Sequence, residues 1–162
     1  MINLMSRLVP MIALSTAFWL AVPSQVRSEV AIRRAAFLPA VHIHQDLGGS
    51  VVAYARKVSL IRKKGRMVQI SGRCDSACTL FLALPPSQIC INPGASFGFH
   101  RAYGSTKFMN DWGTQYLQKS YPKWVNNWLR RKGGLNNSVK RVSFATASRH
   151  VARCESRVFA SK

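Results

Sequence analysis

Between Val41 and His100, short apolar runs alternate with an amphipathic stretch and tight breakers, and this alternation limits the architecture more than any other feature. Val41-His-Ile-His-Gln45 alternates apolar and polar residues, as a half-buried strand does. Leu47-Gly-Gly-Ser50 breaks it, and Ser50 is a suitable helix N-cap. Val51, Tyr54, Ala55, Val58 and Ile61 then follow helical spacing, with Arg56, Lys57, Arg62, Lys63 and Lys64 off the stripe and Gly65 closing the helix. Met67–Ser71 is predicted to be a second strand. A further helix is predicted from near Ser76 through Leu80, Phe81, Leu82 and Leu84 until Pro85-Pro86 stops it. Ile89–Ile91 and Ser96–His100 are short strands separated by Asn92-Pro-Gly94. The pattern predicts an α/β fold with a short, mostly parallel sheet flanked by helices.

Beyond Lys107 the period becomes helical, predicting a helical C-terminal part. Its helices are expected over Met109–Lys119, from Tyr121-Pro122 to Gly133-Gly134, and over Val139–Arg153. Trp112, Tyr116, Tyr121, Trp124 and Trp128 fall at helical spacing, where aromatics pack against their own sheet or against a neighbouring subunit of a homo-oligomer.

The N-terminus reads as an export signal over Met1–Ser28. Arg7 precedes fifteen uncharged residues, Leu8–Val22, long enough for a signal core and short for a membrane span. Small residues permit cleavage before Glu29 or before Gln25, and an uncleaved membrane anchor is the alternative. The mature chain, residues 29–162, is expected to be a single periplasmic or secreted domain.

Charge narrows the chemistry. Lys and Arg number 24 against five acids, Glu29, Asp46, Asp75, Asp111 and Glu155, for a net charge of +19. So few carboxylates argue against a paired-carboxylate mechanism and against an oxygen-ligated calcium cage. The basic clusters Arg62–Lys64, Arg130–Lys132 and Lys140-Arg141 carry no nucleic-acid motif, and export removes nucleic acid as a partner. They suit anionic envelope polymers or lipid headgroups. His42 and His44 share a strand face without an evident third ligand, and His150 is expected to be solvated on a basic helix, so no metal and no cofactor are expected.

Four cysteines in an exported chain predict two disulfides. Cys74 and Cys78, if on one helical turn, would have β-carbons about 6 Å apart, beyond bridging range. That leaves Cys78–Cys90 with Cys74–Cys154, the expected map, or Cys74–Cys90 with Cys78–Cys154.

Ser76 stands at a predicted strand-to-helix turn, in Gly72-Arg-Cys-Asp-Ser76-Ala-Cys78, and His100 ends a strand 24 residues later. A serine on a sharp turn with a strand-borne histidine is the minimum for a nucleophile and its general base. The plain alternative is that Ser76 or Asp75 caps the helix. With Gly48-Gly49-Ser50 upstream, the order and spacing of these motifs resemble the proteolytic subunit of the Clp protease and its crotonase-like relatives. The resemblance covers residues 41–102 and implies a serine hydrolase acting on peptides, proteins or esters. It implies Ser76 as nucleophile, His100 as base, and the amides of Gly49 and Ala77 as oxyanion hole. The family's first strand–helix–strand unit has almost no counterpart before Val41, suggesting a truncated member. Its triad aspartate has none either: the acids after His100 are Asp111 and Glu155, in no matching motif. The competing class is a non-catalytic cationic binding module of the cell envelope built on the same scaffold.

Overall fold

The computed structural model describes residues 39–154. The expected export signal and its cleavage positions lie outside them. The chain runs β1 (Val41–Asp46), α1 (Val51–Lys63), β2 (Val68–Asp75), a 3-10 helix (Ser76–Ala83), a 3-10 turn (Pro86–Gln88), β3 (Ile89–Ile91) and β4 (Ser96–Phe99). It continues through α2 (Lys107–Ser120), α3 (Lys123–Arg131), β5 (Lys140–Ser143) and α4 (Phe144–Ala147). The result is α/β, with a five-stranded mixed sheet flanked by helices. Strand β2 pairs in parallel with β1, β3 and β4, and β5 closes on β4 antiparallel.

Local chemistry accounts for most element boundaries. Ser50 Oγ accepts the Ala53 amide at 3.4 Å and so caps α1. Val58 and Ile61 turn the stripe of α1 into the core, while Arg62 and Lys63 sit at its negative end. The Arg62 guanidinium also donates to the Ala83 carbonyl at 2.7 Å, tying the end of α1 to the end of the 3-10 helix. Val68 and Ile70 of β2 are fully buried, as are Phe81, Phe97 and Phe99, whose burial contributes about 2 kcal/mol apiece. The 3-10 helix, rather than the expected α-helix, is buried all round from Ala77 to Leu82. Tyr121 and Trp128 pack on Phe99 with ring centroids 5.3 and 5.9 Å away, so these aromatics serve the domain's own core.

The helix expected over Val139–Arg153 is reduced to the single turn Phe144–Ala147. Lys140–Ser143 is instead a strand whose Val142 is 1% exposed and lies opposite Phe97. Pairing along the otherwise open edge of β4 satisfies that backbone and overrides local preference.

The expected disulfide map is also wrong, as is its alternative. Cys74 bonds Cys78 and Cys90 bonds Cys154, with Cα–Cα separations of 5.3 and 4.9 Å. The objection to Cys74–Cys78 assumed one helical turn. Cys74 in fact lies on β2 and Cys78 in the 3-10 helix, with a sharp backbone turn between them. Cys90 meets Cys154 because the C-terminal segment lies along β3: Ile91 N–H donates to the Ala152 carbonyl at 3.0 Å, and Cys154 N–H to the Ile91 carbonyl at 3.1 Å. Two disulfides fit an oxidising compartment. No helix among the described residues is long and apolar enough to cross a membrane.

Non-reducing peptide mapping should therefore recover Cys74–Cys78 and Cys90–Cys154 as the linked pairs. In denaturant melts, Cys90→Ala/Cys154→Ala should cost about 4 kcal/mol, and Cys74→Ala/Cys78→Ala about half of that, following loop length.

Candidate active site

Three segments singled out in the sequence converge at one edge of the sheet. Strand β2 lies in parallel register with β4, Cys74 opposite Phe97 and Asp75 opposite Gly98, so Ser76 and His100 leave the sheet at the same end. On the other side Asp46 lies opposite Cys74, which sets the Leu47–Ser50 turn beside Ser76. Gly48 has φ +85, and a β-carbon there would stand 2.6 Å from Ser76 Cβ and 2.8 Å from the Ala77 nitrogen. Only glycine meets both demands. The turn is pinned from below: Gly48 N–H donates to Asp46 Oδ1 at 2.9 Å, and the Tyr54 hydroxyl donates to the same oxygen. Burial first, then the hydrogen bond to Asp46 and its charge, push the Tyr54 phenol well above its ordinary range, so it stays a neutral donor.

Ser76 has φ +55, the sole non-glycine residue at positive φ among the described residues. That conformation costs about 1–2 kcal/mol for an L-residue. Neither capping alternative holds: Asp75 occupies the N-cap position without making a capping bond, and Ser76 is the first residue of the 3-10 helix. Its carbonyl is held by a relay. Thr79 Oγ1 donates to the Ser76 carbonyl at 2.6 Å and lies 2.6 Å from the Tyr121 hydroxyl. Thr79 has one hydroxyl proton, so Tyr121 must donate to it. Burial raises the Tyr121 pKa and keeps that proton in place.

Ser76 lines a cleft of about 440 Å³ together with Leu47, Gly49, Val51, Tyr103, Met109 and Trp112. The loop on its far side is fixed by α2. Ala102 N–H donates to Thr114 Oγ1 at 3.0 Å, and Ser105 and Asn110 exchange bonds of 3.2 and 2.8 Å. Among the described residues Ser76 Oγ makes no hydrogen bond.

His100 is 7% exposed and does not itself line the cleft; its ring packs against Tyr103, which does, at 5.2 Å between centroids. Its Nδ1 lies 2.7 Å from the Arg101 carbonyl. A carbonyl only accepts, so Nδ1 carries the hydrogen, and in the neutral imidazole Nε2 is the nitrogen that holds the lone pair. A backbone carbonyl thus sets the tautomer, a task an aspartate performs in a triad.

The carboxylates are engaged elsewhere. Asp75 accepts from Arg141 at 2.8 and 3.0 Å and from Arg73, bridging β2 to β5. There is room because Gly98 has no side chain: a β-carbon would stand 2.2 Å from Asp75 Oδ1. Burial alone would raise the Asp75 carboxyl, but hydrogen bonds from Arg141 and Arg73, with their charges, hold it below the usual range. Asp111 pairs with Lys107 and Arg101. The His42 and His44 rings stack 6.4 Å apart on exposed positions of β1, and among the described residues no three ligating side chains cluster. His150 is exposed but stacks on Trp124, centroids 4.7 Å apart.

Thr79, Tyr121, Asp46, Tyr54 and Arg141 thus support the site without having been singled out for it. Their contacts span 2 to 66 residues of sequence, and the longest lie beyond the reach of any local motif. No protein-family model matches the chain, and no curated protein matches its sequence.

Because the folded Asp75 carboxyl titrates below its unfolded value, its contribution to stability is complete above the ordinary carboxylate range and is lost as the pH falls below that range through the depressed folded value. Asp75→Asn should cost about 2 kcal/mol at neutral pH. Denaturant melts in acid should show wild type and variant converging.

Proposed function

We propose that the chain is a serine hydrolase of the Clp/crotonase type, acting on peptide or ester bonds with Ser76 as nucleophile and His100 as general base. One observation carries this: a non-glycine residue held at φ +55, at a strand-to-helix turn, lining a cleft. Folds retain such strain chiefly where a side chain must be presented to a ligand. The substrate carbonyl would lie beside Ser76 Oγ. Gly49 N–H makes no hydrogen bond among the described residues, and Ala77, second in the 3-10 helix, has no intrahelical acceptor for its N–H. Both are therefore free to donate to an oxyanion.

As Oγ attacks the carbonyl carbon, the Oγ proton passes to His100 Nε2, which returns it to the departing amine or alcohol as the acyl bond breaks. Water then repeats the sequence on the acyl-enzyme, with Nε2 as base. The Arg101 carbonyl holds the imidazolium through Nδ1–H. In the substrate complex Nε2 must approach Oγ to about 3 Å. A fluorophosphonate probe should label the wild-type protein at Ser76. Ser76→Ala should abolish labelling while changing stability by less than about 0.5 kcal/mol, since no capping bond is lost. His100→Gln should slow labelling by about 100-fold or more. A folded wild type that never labels would sink the hydrolase assignment.

A non-catalytic cationic module of the envelope is the second reading, and a different observation favours it. Lys119, Lys123 and Arg130 line an open cleft of about 440 Å³ with Gln118, Asn126 and Asn127, and no carboxylate lines it. Such a surface suits anionic polymers or headgroups. Co-sedimentation with vesicles containing phosphatidylglycerol should then weaken as salt rises, and Lys123→Gln/Arg130→Gln should reduce it severalfold.

A further inference from the structure

The Cys74–Cys78 bridge spans Ser76 symmetrically, two residues to either side. We infer that this disulfide is the clamp that holds Ser76 in its left-handed backbone conformation, which makes Cys74 and Cys78 positioning residues for the serine. Its backbone part rests on geometry alone; its chemical consequence rests on the hydrolase reading.

Both ends of the clamp are buried in regular structure. The Cys74 backbone is fixed in the sheet between Asp46 of β1 and Phe97 of β4, and both cysteines are 0% exposed. Cys78 belongs to the fully buried part of the 3-10 helix. With Cα atoms fixed 5.3 Å apart, Asp75, Ser76 and Ala77 must reverse direction within one short covalent ring, and Ser76 takes up the reversal at φ +55. The other contacts act differently. Gly48 leaves space without holding anything, Thr79 grips the Ser76 carbonyl from the C-terminal side, and Arg141 grips Asp75 from the N-terminal side. Only the bridge joins the two sides covalently across the turn, closing the backbone into a ring. So short a loop also constrains the unfolded chain far less than the Cys90–Cys154 loop does, and its effect falls on the turn more than on the whole domain.

Two readouts on isotope-labelled protein test the clamp: backbone chemical shifts at Ser76, which report its φ region, and the rate of fluorophosphonate labelling. In Cys74→Ala/Cys78→Ala the Ser76 shifts should leave the left-handed region and labelling should fall about 100-fold, the usual effect of an ångström-scale misplacement. Cys90→Ala/Cys154→Ala should keep both at wild-type values. Left-handed shifts and unchanged labelling without the Cys74–Cys78 bridge would overturn the inference. Shifts that move with the bridge in a wild type that does not label would support the clamp and remove the hydrolase reading instead. Should the double variant fail to fold, Ser76→Gly added to it should restore folding, because glycine adopts φ +55 freely; no rescue would count against the clamp.

Discussion

Strand β2 divides its partners along its length, and the candidate site depends on that division. Val68–Ile70 pair with β3, whereas Arg73–Asp75 pair with β4. The register with β1 shifts between Ile43 and Gln45, at the same level. The second half of β2 therefore runs between β1 and β4, and the turns that follow all three strands emerge together. Had β2 stayed with β3 to its end, His100 would not leave the sheet beside Ser76. Parallel strands deliver their C-terminal ends to one edge, the place where open α/β sheets usually bind ligands.

Scarcity of carboxylate shapes what that edge can do. Asp46, Asp75 and Asp111 are the acids among the described residues, and each has a structural partner. Asp46 holds the glycine turn and Tyr54, Asp75 joins β2 to β5 through Arg141, and Asp111 neutralises Lys107 and Arg101. None is left to orient His100, and the Arg101 carbonyl does so instead. Such a carbonyl fixes the tautomer but carries no full charge, so it stabilises an imidazolium less than a carboxylate would. The cations elsewhere are left mostly without acidic partners, which keeps the surface strongly attractive to anions.

Legibility followed the range of the interactions. Helix α1 was readable from Ser50 to Gly65 because its cap, its stripe and its terminator are all local. The strands around Ile43, Ile70, Ile89 and Phe97 were readable from their apolar runs, although β2 extends through Asp75 rather than stopping at Ser71. Lys140–Ser143 has the local pattern of a helix, and its strand character comes from β4 alongside it. The cysteine pairing was misread because it depends on the turn at Ser76, and a positive φ at a serine has no signature in composition or period.

Taken by itself, the sequence determined the α/β class, the order of the elements from β1 to α3, and the three segments around Gly48, Ser76 and His100. Period, capping and turn chemistry act over a few residues and can be read along the chain. Only the tertiary structure decided that β2 changes partner, that Cys74 closes on Cys78, and that Ser76 is strained and His100 is oriented by a carbonyl. These depend on which strands lie side by side and on backbone angles that packing imposes. Such terms couple residues far apart in the chain, and no local pattern encodes them.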